Sequence, residues 1–219
     1  MAQTDEDTPR GLMFALGAYV FWGFLPLYMK MLSHISAAEV VAHRVIWSVP
    51  IAAVVLIVIR RTGDLRAAFR SPRTLAMGCL TAGLVSLNWG VYVWAIASDR
   101  ALDAALGYYI NPLFSVALGA IFLRERLTRA QMVAIALAAC AVALLTISAG
   151  TLPWAALVLT VTWGFYALAK KQLPIGPNQG FLLEVLILLL PALAYATWLG
   201  LTGQGQFMVG DARSTWLLL

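Results

Sequence analysis

The chain has 219 residues, of which 62% are hydrophobic and only 11% are charged, and its formal net charge is +5. A soluble domain of this length has far more polar residues, so the composition excludes an ordinary soluble protein and indicates a membrane protein. The positive charge requires no nucleic-acid partner, because the basic residues are concentrated in a few connections between apolar segments.

Seven apolar segments are long enough to cross a bilayer as helices, which takes about 20 residues. They cover roughly residues 11–31, 37–59, 74–97, 104–123, 130–148, 152–169 and 181–201, and an eighth begins near Trp216. This pattern predicts an all-α, polytopic membrane helix bundle. Because the N-terminus is acidic and the first apolar segment is too long for a signal-peptide core, we expect no cleaved signal peptide.

Two connections carry local signals. Ser36 and Glu39 have capping-box spacing at the start of the second segment, which predicts Ser36 as a helix N-cap. In the connection over residues 64–73, Leu65, Ala68 and Phe69 are spaced i, i+3 and i+4 among arginines. This spacing favours a short helix on the membrane surface over an ordinary basic loop.

The sequence carries no motif for catalysis or metal binding. Cys79 and Cys140 lie inside apolar segments, where we expect buried free thiols. No His/Cys cluster has metal-ligand spacing, and neither a Gly-rich phosphate loop nor a nucleophile elbow is present in the sequence. We therefore expect a protein that is not an enzyme, with no catalytic residue, no metal and no cofactor.

The sequence repeats itself at an offset of 141 residues. Between positions 15 and 53, 12 of 39 residues match in one ungapped register, including Trp22-Gly23-Phe24 with Trp163-Gly164-Phe165, Lys30 with Lys171, and Pro50 with Pro191. Five segments separate the two copies, and an odd number inverts the second copy relative to the first. The spacing therefore predicts an inverted-topology repeat, an arrangement used mainly by transporters.

The basic residues are predicted to lie on one side of the membrane. If the segments alternate in direction, one side receives 11 of the 15 basic residues: Arg10, Arg60, Arg61, Arg66, Arg70, Arg73, Arg124, Arg126, Arg129, Lys170 and Lys171. Basic residues stay in the cytoplasm, so we expect a cytoplasmic N-terminus in a bacterial-type inner membrane.

Polar residues inside the third and fourth segments are candidate site residues, because polar groups in a membrane are costly unless used or satisfied. Asn88, with Trp89 and Tyr92 nearby, offers an amide and aromatic rings for a flat organic solute, or else an interhelical hydrogen bond within a packed core. Asn111 precedes Pro112, which frees a backbone carbonyl one turn earlier, and is a candidate cavity-lining residue. Close helix packing is the alternative for the stripe of Asp103, Gly107, Asn111, Ser115 and Gly119.

The second segment carries His43 and Arg44 about 10 Å below Ser36. One interpretation places a cationic group at the outer mouth of a pathway, with Glu39 one turn from His43 and able to tune its protonation. The alternative is that Arg44 snorkels outward. Glu184 aligns with His43 in the repeat, and we favour an interfacial cap there over a proton-coupling site.

Several strings of residues resemble a known family. They are, in order, Phe21-Trp22-Gly23, Ala42-His43-Arg44-Val45-Ile46-Trp47-Ser48, Asn88-Trp89, Leu106-Gly107-Tyr108-Tyr109-Ile110-Asn111-Pro112-Leu113 and Phe122-Leu123-Arg124-Glu125-Arg126. In these the chain resembles the RarD-type permeases of the EamA branch of the drug/metabolite transporter superfamily. The resemblance implies ten helices in two inverted five-helix halves, a central cavity, alternating access and a link to chloramphenicol sensitivity. The candidate substrate-pathway residues are Trp22, His43, Arg44, Asn88, Trp89, Tyr92, Tyr108 and Asn111.

The chain is shorter than this family pattern. Ten helices at the observed offset correspond to roughly 290 residues, so we expect an EamA-like inverted five-plus-five repeat lacking the last three helices. Residues 1–149 form the first repeat in this interpretation, and residues 150–219 form two helices of the second and the start of a third. We expect a solute permease that is inactive as this shortened chain; a non-transporting membrane subunit or remnant is the alternative. The expected partners are the lipid bilayer, a small organic solute, and either a second copy or a complementing second half.

Overall fold

The computed structural model of the protein describes residues 9–60, 62–122, 124–150 and 152–219. Within these ranges nine α-helices follow one another: α1 Pro9–Met31, α2 Ala37–Val58, α3 Thr62–Arg70, α4 Pro72–Ala97, α5 Ala101–Phe122, α6 Arg129–Ala149, α7 Trp154–Gln172, α8 Pro177–Thr202 and α9 Ala212–Leu218. The all-α prediction is confirmed, and each predicted apolar segment corresponds to one helix. The eighth segment begins at Ala212, four residues earlier than predicted.

Among the described residues, six helices are long and apolar enough to cross a membrane, namely α1, α2, α4, α5, α6 and α8. The prediction of seven such segments is corrected at α7, which is a 19-residue helix that carries Thr160 and Thr162 and ends with Lys170 and Lys171. This helix packs between α4 and α5. Neighbouring helices rather than lipid cover its polar face, so it is stable with a lower hydropathy than the others.

Side-chain caps fix where several helices begin. The Ser36 hydroxyl accepts a hydrogen bond from the Glu39 backbone N–H at 3.2 Å, which confirms the predicted N-cap of α2. Asp211 caps α9 in the same way, by accepting the Ser214 N–H at 2.9 Å. Hydrogen bonds from Ser214 also lower the pKa of the Asp211 carboxyl below its usual value, because they stabilise the ionised form.

The short helix α3 confirms the prediction of a helix, rather than a loop, after α2. Ala68 is buried, and Leu65 packs against the apolar cluster formed by α2 and α8, whereas Phe69 is exposed. The helix ends at Arg70, three residues earlier than predicted, because Ser71 caps the following helix α4. The arginines of α3 thus border a surface at one end of the bundle.

The repeat mates α2 and α8 pack against each other in opposite directions. At the start of α2, the Glu39 carboxylate accepts the backbone N–H groups of Gln206 and Phe207, at 2.6 and 3.2 Å, just beyond the end of α8. Toward the other end of α2, Leu65 of α3 and Phe181, near the start of α8, pack against the same apolar cluster of α2 and α8. Glu39 therefore holds the connection after α8 and does not complete the capping box with Ser36.

The mates α1 and α7 also run in opposite directions. Lys30, near the end of α1, forms an ion pair with Asp99, which directly follows α4. Trp154, the first residue of α7, packs against Trp94 in the last turn of α4, with ring centroids 4.7 Å apart. The end of α1 and the start of α7 therefore lie together, at what we call the Asp99 end of the bundle. Both helix pairs confirm the predicted inversion.

The opposite end, which we call the basic end, collects α3, the connection after α5 and the last turn of α7. Lys171 Nζ lies 3.9 Å from Glu125 Oε1, and Ala67 of α3 shares a small cavity with the connection over Leu173–Gly176. The predicted clustering of basic residues at one end is thus present. Of the eleven residues in that prediction, Arg61 and the side chain of Arg10 lie outside the described part of the chain.

The two cysteines differ from the prediction in one respect. Cys79 and Cys140 are both free thiols, as expected, but both are exposed on the surface of the bundle. The prediction of burial was wrong because an apolar segment in a membrane protein faces lipid as readily as it faces other helices. In this chain the apolar surface of α6, which contains Cys140, is the outside of the bundle.

Candidate functional site

Arg44 is the charged side chain at the centre of the candidate site. It lies two turns into α2, and its guanidinium is placed over the Trp89 ring of α4 at 5.1 Å from the ring centroid. The side chain is half-buried, and Tyr92, Tyr108 and Tyr28 of α1 lie within electrostatic range of its charge. Of the predicted site residues, Trp89 therefore contacts Arg44 directly, and Tyr92 and Tyr108 lie near it.

Aromatic rings from five helices contribute to this group. Tyr92 and Tyr108 meet edge to face with ring centroids 5.8 Å apart, and Tyr108 meets Trp163 of α7 in the same way at 6.2 Å. Trp89 lies 6.5 Å from Phe181 of α8. The rings present flat apolar faces, and Tyr28 and Tyr108 remain 37% and 36% exposed.

Asn88 connects α4 to α5 and α7. Its Oδ1 accepts a hydrogen bond from the Tyr108 hydroxyl at 3.0 Å, and its Nδ2 donates to the Leu159 carbonyl at 3.1 Å and to Thr162 Oγ1 at 2.8 Å. The side chain is fully buried, and both ends of the amide are satisfied. Asn88 is thus an interhelical hydrogen-bonding residue that also positions Tyr108.

Asn111 lies one turn after Tyr108, on the stripe of small residues along α5, and no hydrogen bond between described residues joins it to this group. It is buried, and its Oδ1 accepts a hydrogen bond from Ser115 one turn later at 3.1 Å. On the same stripe, the Gly107 carbonyl accepts the Thr160 hydroxyl of α7 at 2.8 Å, and a Cβ at Gly107 would lie only 2.8 Å from the Ala156 carbonyl oxygen. These contacts favour the close-packing alternative for the stripe.

His43 and Trp22 also lie outside the group around Arg44. The buried His43 ring faces Phe207, with ring centroids 4.5 Å apart, and its Nδ1 has no hydrogen-bond partner among the described residues. Trp22 is 56% exposed and contacts Tyr19 of its own helix, with ring centroids 5.8 Å apart. The substrate-pathway roles predicted for Trp22, His43 and Asn111 stay predictions.

Glu184 is not the interfacial cap that the sequence favoured. Its carboxylate is buried and accepts hydrogen bonds from Lys170 Nζ at 2.7 Å and from the Tyr166 hydroxyl at 3.1 Å. The helix α8 begins at Pro177, four residues before the predicted start at Phe181. Glu184 therefore lies two turns into the helix, where a carboxylate is stable only when it is paired.

Sequence reasoning missed three aromatic members of the site. Trp163 is the repeat mate of Trp22, which was a predicted site residue, so the repeat could have identified Trp163 as a further candidate. Tyr28 and Phe181 carried no such signal, because each approaches the group from a different helix through tertiary packing.

Inverted helix pairs and a polar, aromatic group inside the membrane-spanning helices define a class of protein, the polytopic membrane transporters. The family model described as the EamA-like transporter family matches residues 9–147 of the chain. The chain therefore belongs to the EamA-like transporter family and is a multi-pass membrane protein of a transporter family, not an enzyme.

The relatives confirm the resemblance to RarD-type proteins. The chain is 41% identical over 205 residues to a protein RarD of Streptomyces exfoliatus, which covers 94% of the chain and 65% of that protein. It is 38% identical over 218 residues to an uncharacterized transporter of Vibrio cholerae, which covers 100% of the chain and 71% of the relative. It is 35% identical over 214 residues to a chloramphenicol-sensitive protein RarD of Pseudomonas aeruginosa, and this alignment covers 96% of the chain and 71% of the relative. No solved structure matches the chain significantly.

Proposed function

We propose that the chain carries one wall of the substrate pathway of a permease, which moves a small organic solute across a bacterial inner membrane by alternating access. The observation that carries this proposal is the group around Arg44, in which a charged side chain, aromatic rings and a hydrogen-bonded amide meet between membrane-spanning helices. Groups of this kind are costly in a membrane and are retained where they serve a pathway.

The geometry suits an aromatic or amphipathic solute. The rings of Trp89, Tyr92 and Tyr108 offer stacking faces, while Arg44 and the tyrosine hydroxyls offer hydrogen bonds that fix orientation. Asn88 acts on the solute indirectly, because its hydrogen bond holds the Tyr108 hydroxyl in place. The rings come from helices that are already packed, so the site is formed before a solute arrives.

The inverted arrangement supports an alternating-access mechanism. Residues 1–149 form the first repeat in this proposal, and residues 150–219 belong to the second, so the mates α2 and α8 lie side by side across the boundary between the repeats. A rocking motion of one repeat against the other would open the site first to one end of the bundle and then to the other. The basic end faces the cytoplasm in this proposal, since basic residues are retained there.

The proposed test solute is chloramphenicol, an uncharged aromatic compound that appears in the name of the Pseudomonas aeruginosa relative. The measurement is uptake of labelled chloramphenicol into reconstituted vesicles. Because the chain spans 65% of the Streptomyces protein, two samples are compared: the chain alone, and the chain fused after Leu219 to the remaining third of that relative. We expect uptake by the fusion and none by the chain alone, in line with a complementing second half as partner.

A matched pair of variants separates the site from general damage. Tyr108→Leu removes a ring of the site, whereas Tyr109→Leu removes a neighbouring ring that is 86% exposed to lipid. Uptake by the fusion should fall in the first variant and persist in the second. Equal uptake in vesicles with and without either protein would reject the permease and leave a non-transporting subunit as the better description.

A further inference from the structure

The contrast between two arginines points to the chemical class of the solute. Arg100 lies over Trp94 and Trp154, at 5.6 and 5.7 Å from their ring centroids, and its Nε also donates to the Asp103 carboxylate at 2.6 Å. Arg44 has the equivalent aromatic contact with Trp89. In the described part of the chain, however, no carboxylate lies within 4.0 Å of Arg44, and its guanidinium donates no hydrogen bond.

The missing partner matters because the guanidinium is charged at every physiological pH and carries five N–H donors. A charged group inside a membrane is stable when it is paired or reaches water. The acid on the same helix is Glu39, whose Oε1 accepts the backbone N–H groups of Gln206 and Phe207 and which forms no ion pair with Arg44. The donors of Arg44 are therefore unused by the described residues.

We propose that Arg44 binds the anionic group of the transported solute, most simply a carboxylate, while the aromatic rings hold its apolar body. This inference deepens the proposed function and rests on it. A planar carboxylate accepts two parallel N–H bonds from a guanidinium, which gives a fixed orientation as well as charge recognition. The Trp89 ring contacts the guanidinium, Tyr92 lies one turn further along α4, and Tyr108 meets Tyr92 with ring centroids 5.8 Å apart, so one small molecule can contact both the charge and the rings.

The alternative is that Arg44 snorkels to water and has no ligand. The two descriptions predict different binding affinities for a series of probes that share one aromatic ring and differ only in charge. Indole-3-acetate, indole-3-acetamide and tryptamine carry a negative, a neutral and a positive group on the same indole. The site should prefer the acetate over the acetamide by at least about tenfold, since only the carboxylate adds an opposite charge and a second acceptor oxygen for the guanidinium. Tryptamine should bind more weakly than either.

The experiment measures equilibrium binding of these three probes to the full chain in nanodiscs of phosphatidylcholine near pH 7, with empty nanodiscs subtracted. In Arg44→Gln the affinity for the acetate should fall at least about tenfold while the affinity for the acetamide is retained. The retained acetamide binding shows that the variant is folded. Arg44→Lys keeps the charge but not the planar pair of donors, so it should give an intermediate preference.

The matched control is Arg100→Gln, which removes a cation over tryptophan rings outside the site. It should leave the preference for the acetate unchanged. Equal binding of acetate and acetamide to the unmodified chain, or a preference that persists in Arg44→Gln, would overturn the proposal. A third arm replaces part of the lipid by phosphatidylglycerol. Loss of acetate binding there would assign Arg44 to a lipid phosphate and would also overturn the proposal.

The outcomes also separate this inference from the permease. If the fusion takes up chloramphenicol but the nanodiscs show no charge preference, the permease stands and the anion site falls. If the charge preference depends on Arg44 but the fusion takes up neither chloramphenicol nor labelled indole-3-acetate, the anion site stands and transport falls.

Discussion

Lys170 and Glu184 form an ion pair between α7 and α8, in which Nζ lies 2.7 Å from Oε1 of a carboxylate that is 1% exposed. Tyr166 donates to the other carboxylate oxygen at 3.1 Å. Removing one partner of a buried pair leaves an uncompensated charge. We therefore expect Lys170→Met to lower the free energy of unfolding by about 3 kcal/mol, measured by denaturant unfolding in detergent.

The control for this prediction is the neighbouring pair of Lys171 and Glu125, which is 3.9 Å apart with both side chains exposed. Lys171→Met should cost less than about 1 kcal/mol, because water screens an exposed pair. The double replacement of Lys170 by Met and Glu184 by Leu should recover most of the loss, since it removes both charges. Similar losses in the two single variants would contradict the assignment of a buried pair.

Gly107 sets the distance between α5 and α7. An alanine Cβ at this position would lie 2.8 Å from the Ala156 carbonyl oxygen, a backbone atom that cannot turn away. We expect Gly107→Ala to force the helices apart and lower the free energy of unfolding by about 1–3 kcal/mol. Gly83→Ala and Gly90→Ala are matched controls, because a Cβ there meets nothing within 4 Å. They should be neutral or stabilise α4 by up to about 1 kcal/mol each.

The helices and their directions were predictable because they depend on short-range and periodic signals. The length of each apolar segment located each helix. The 141-residue offset, with Pro50 and Pro191 in register, predicted that α2 and α8 run in opposite directions. The hydrogen bond from the Phe207 N–H, beyond the end of α8, to Glu39 at the start of α2 agrees with this inversion. Basic residues in alternate connections predicted the basic end. Each of these signals can be recognised in the amino-acid sequence alone.

The partners of the polar residues were not predictable in the same way. Asn88 bonds to residues 71 and 74 positions away on α7, and no pattern in a single sequence specifies which of several helices faces it. The exposure of Cys79 has the same origin, since lipid and protein are equally acceptable to an apolar side chain. Glu184 was misjudged because an early helix start at Pro177 moved it two turns into α8.

The orientation of the bundle is a separate prediction. We expect Arg66 and Arg126 at the basic end to be cytoplasmic and Asp99 to be outside. Single cysteines at these positions, in a chain with Cys79 and Cys140 replaced by alanine, would be treated with an impermeant thiol reagent. Position 99 should be labelled in intact cells, and positions 66 and 126 only after permeabilisation. The reverse pattern would place the basic end outside.

Replacement of Asn111 tests whether its side chain packs α5 or lines a cavity. Its amide is buried and bonded to Ser115 at 3.1 Å, next to the close contact of Gly107 with α7. We therefore expect Asn111→Ala to lower the unfolding midpoint while chloramphenicol uptake by the fusion persists. The expected loss is about 0.5–1.5 kcal/mol for the hydrogen bond, which lies within α5, plus the lost packing of the side chain.

Ser115→Ala removes the same hydrogen bond from the other side and should produce a smaller drop in the unfolding midpoint. If the bond is what the two residues share, the double variant should lose less than the sum of the single losses. Uptake and thermal unfolding would be measured on the same preparations. An unchanged midpoint with abolished uptake in Asn111→Ala alone would reverse this interpretation, because it would mean that the amide serves the solute rather than the packing of α5.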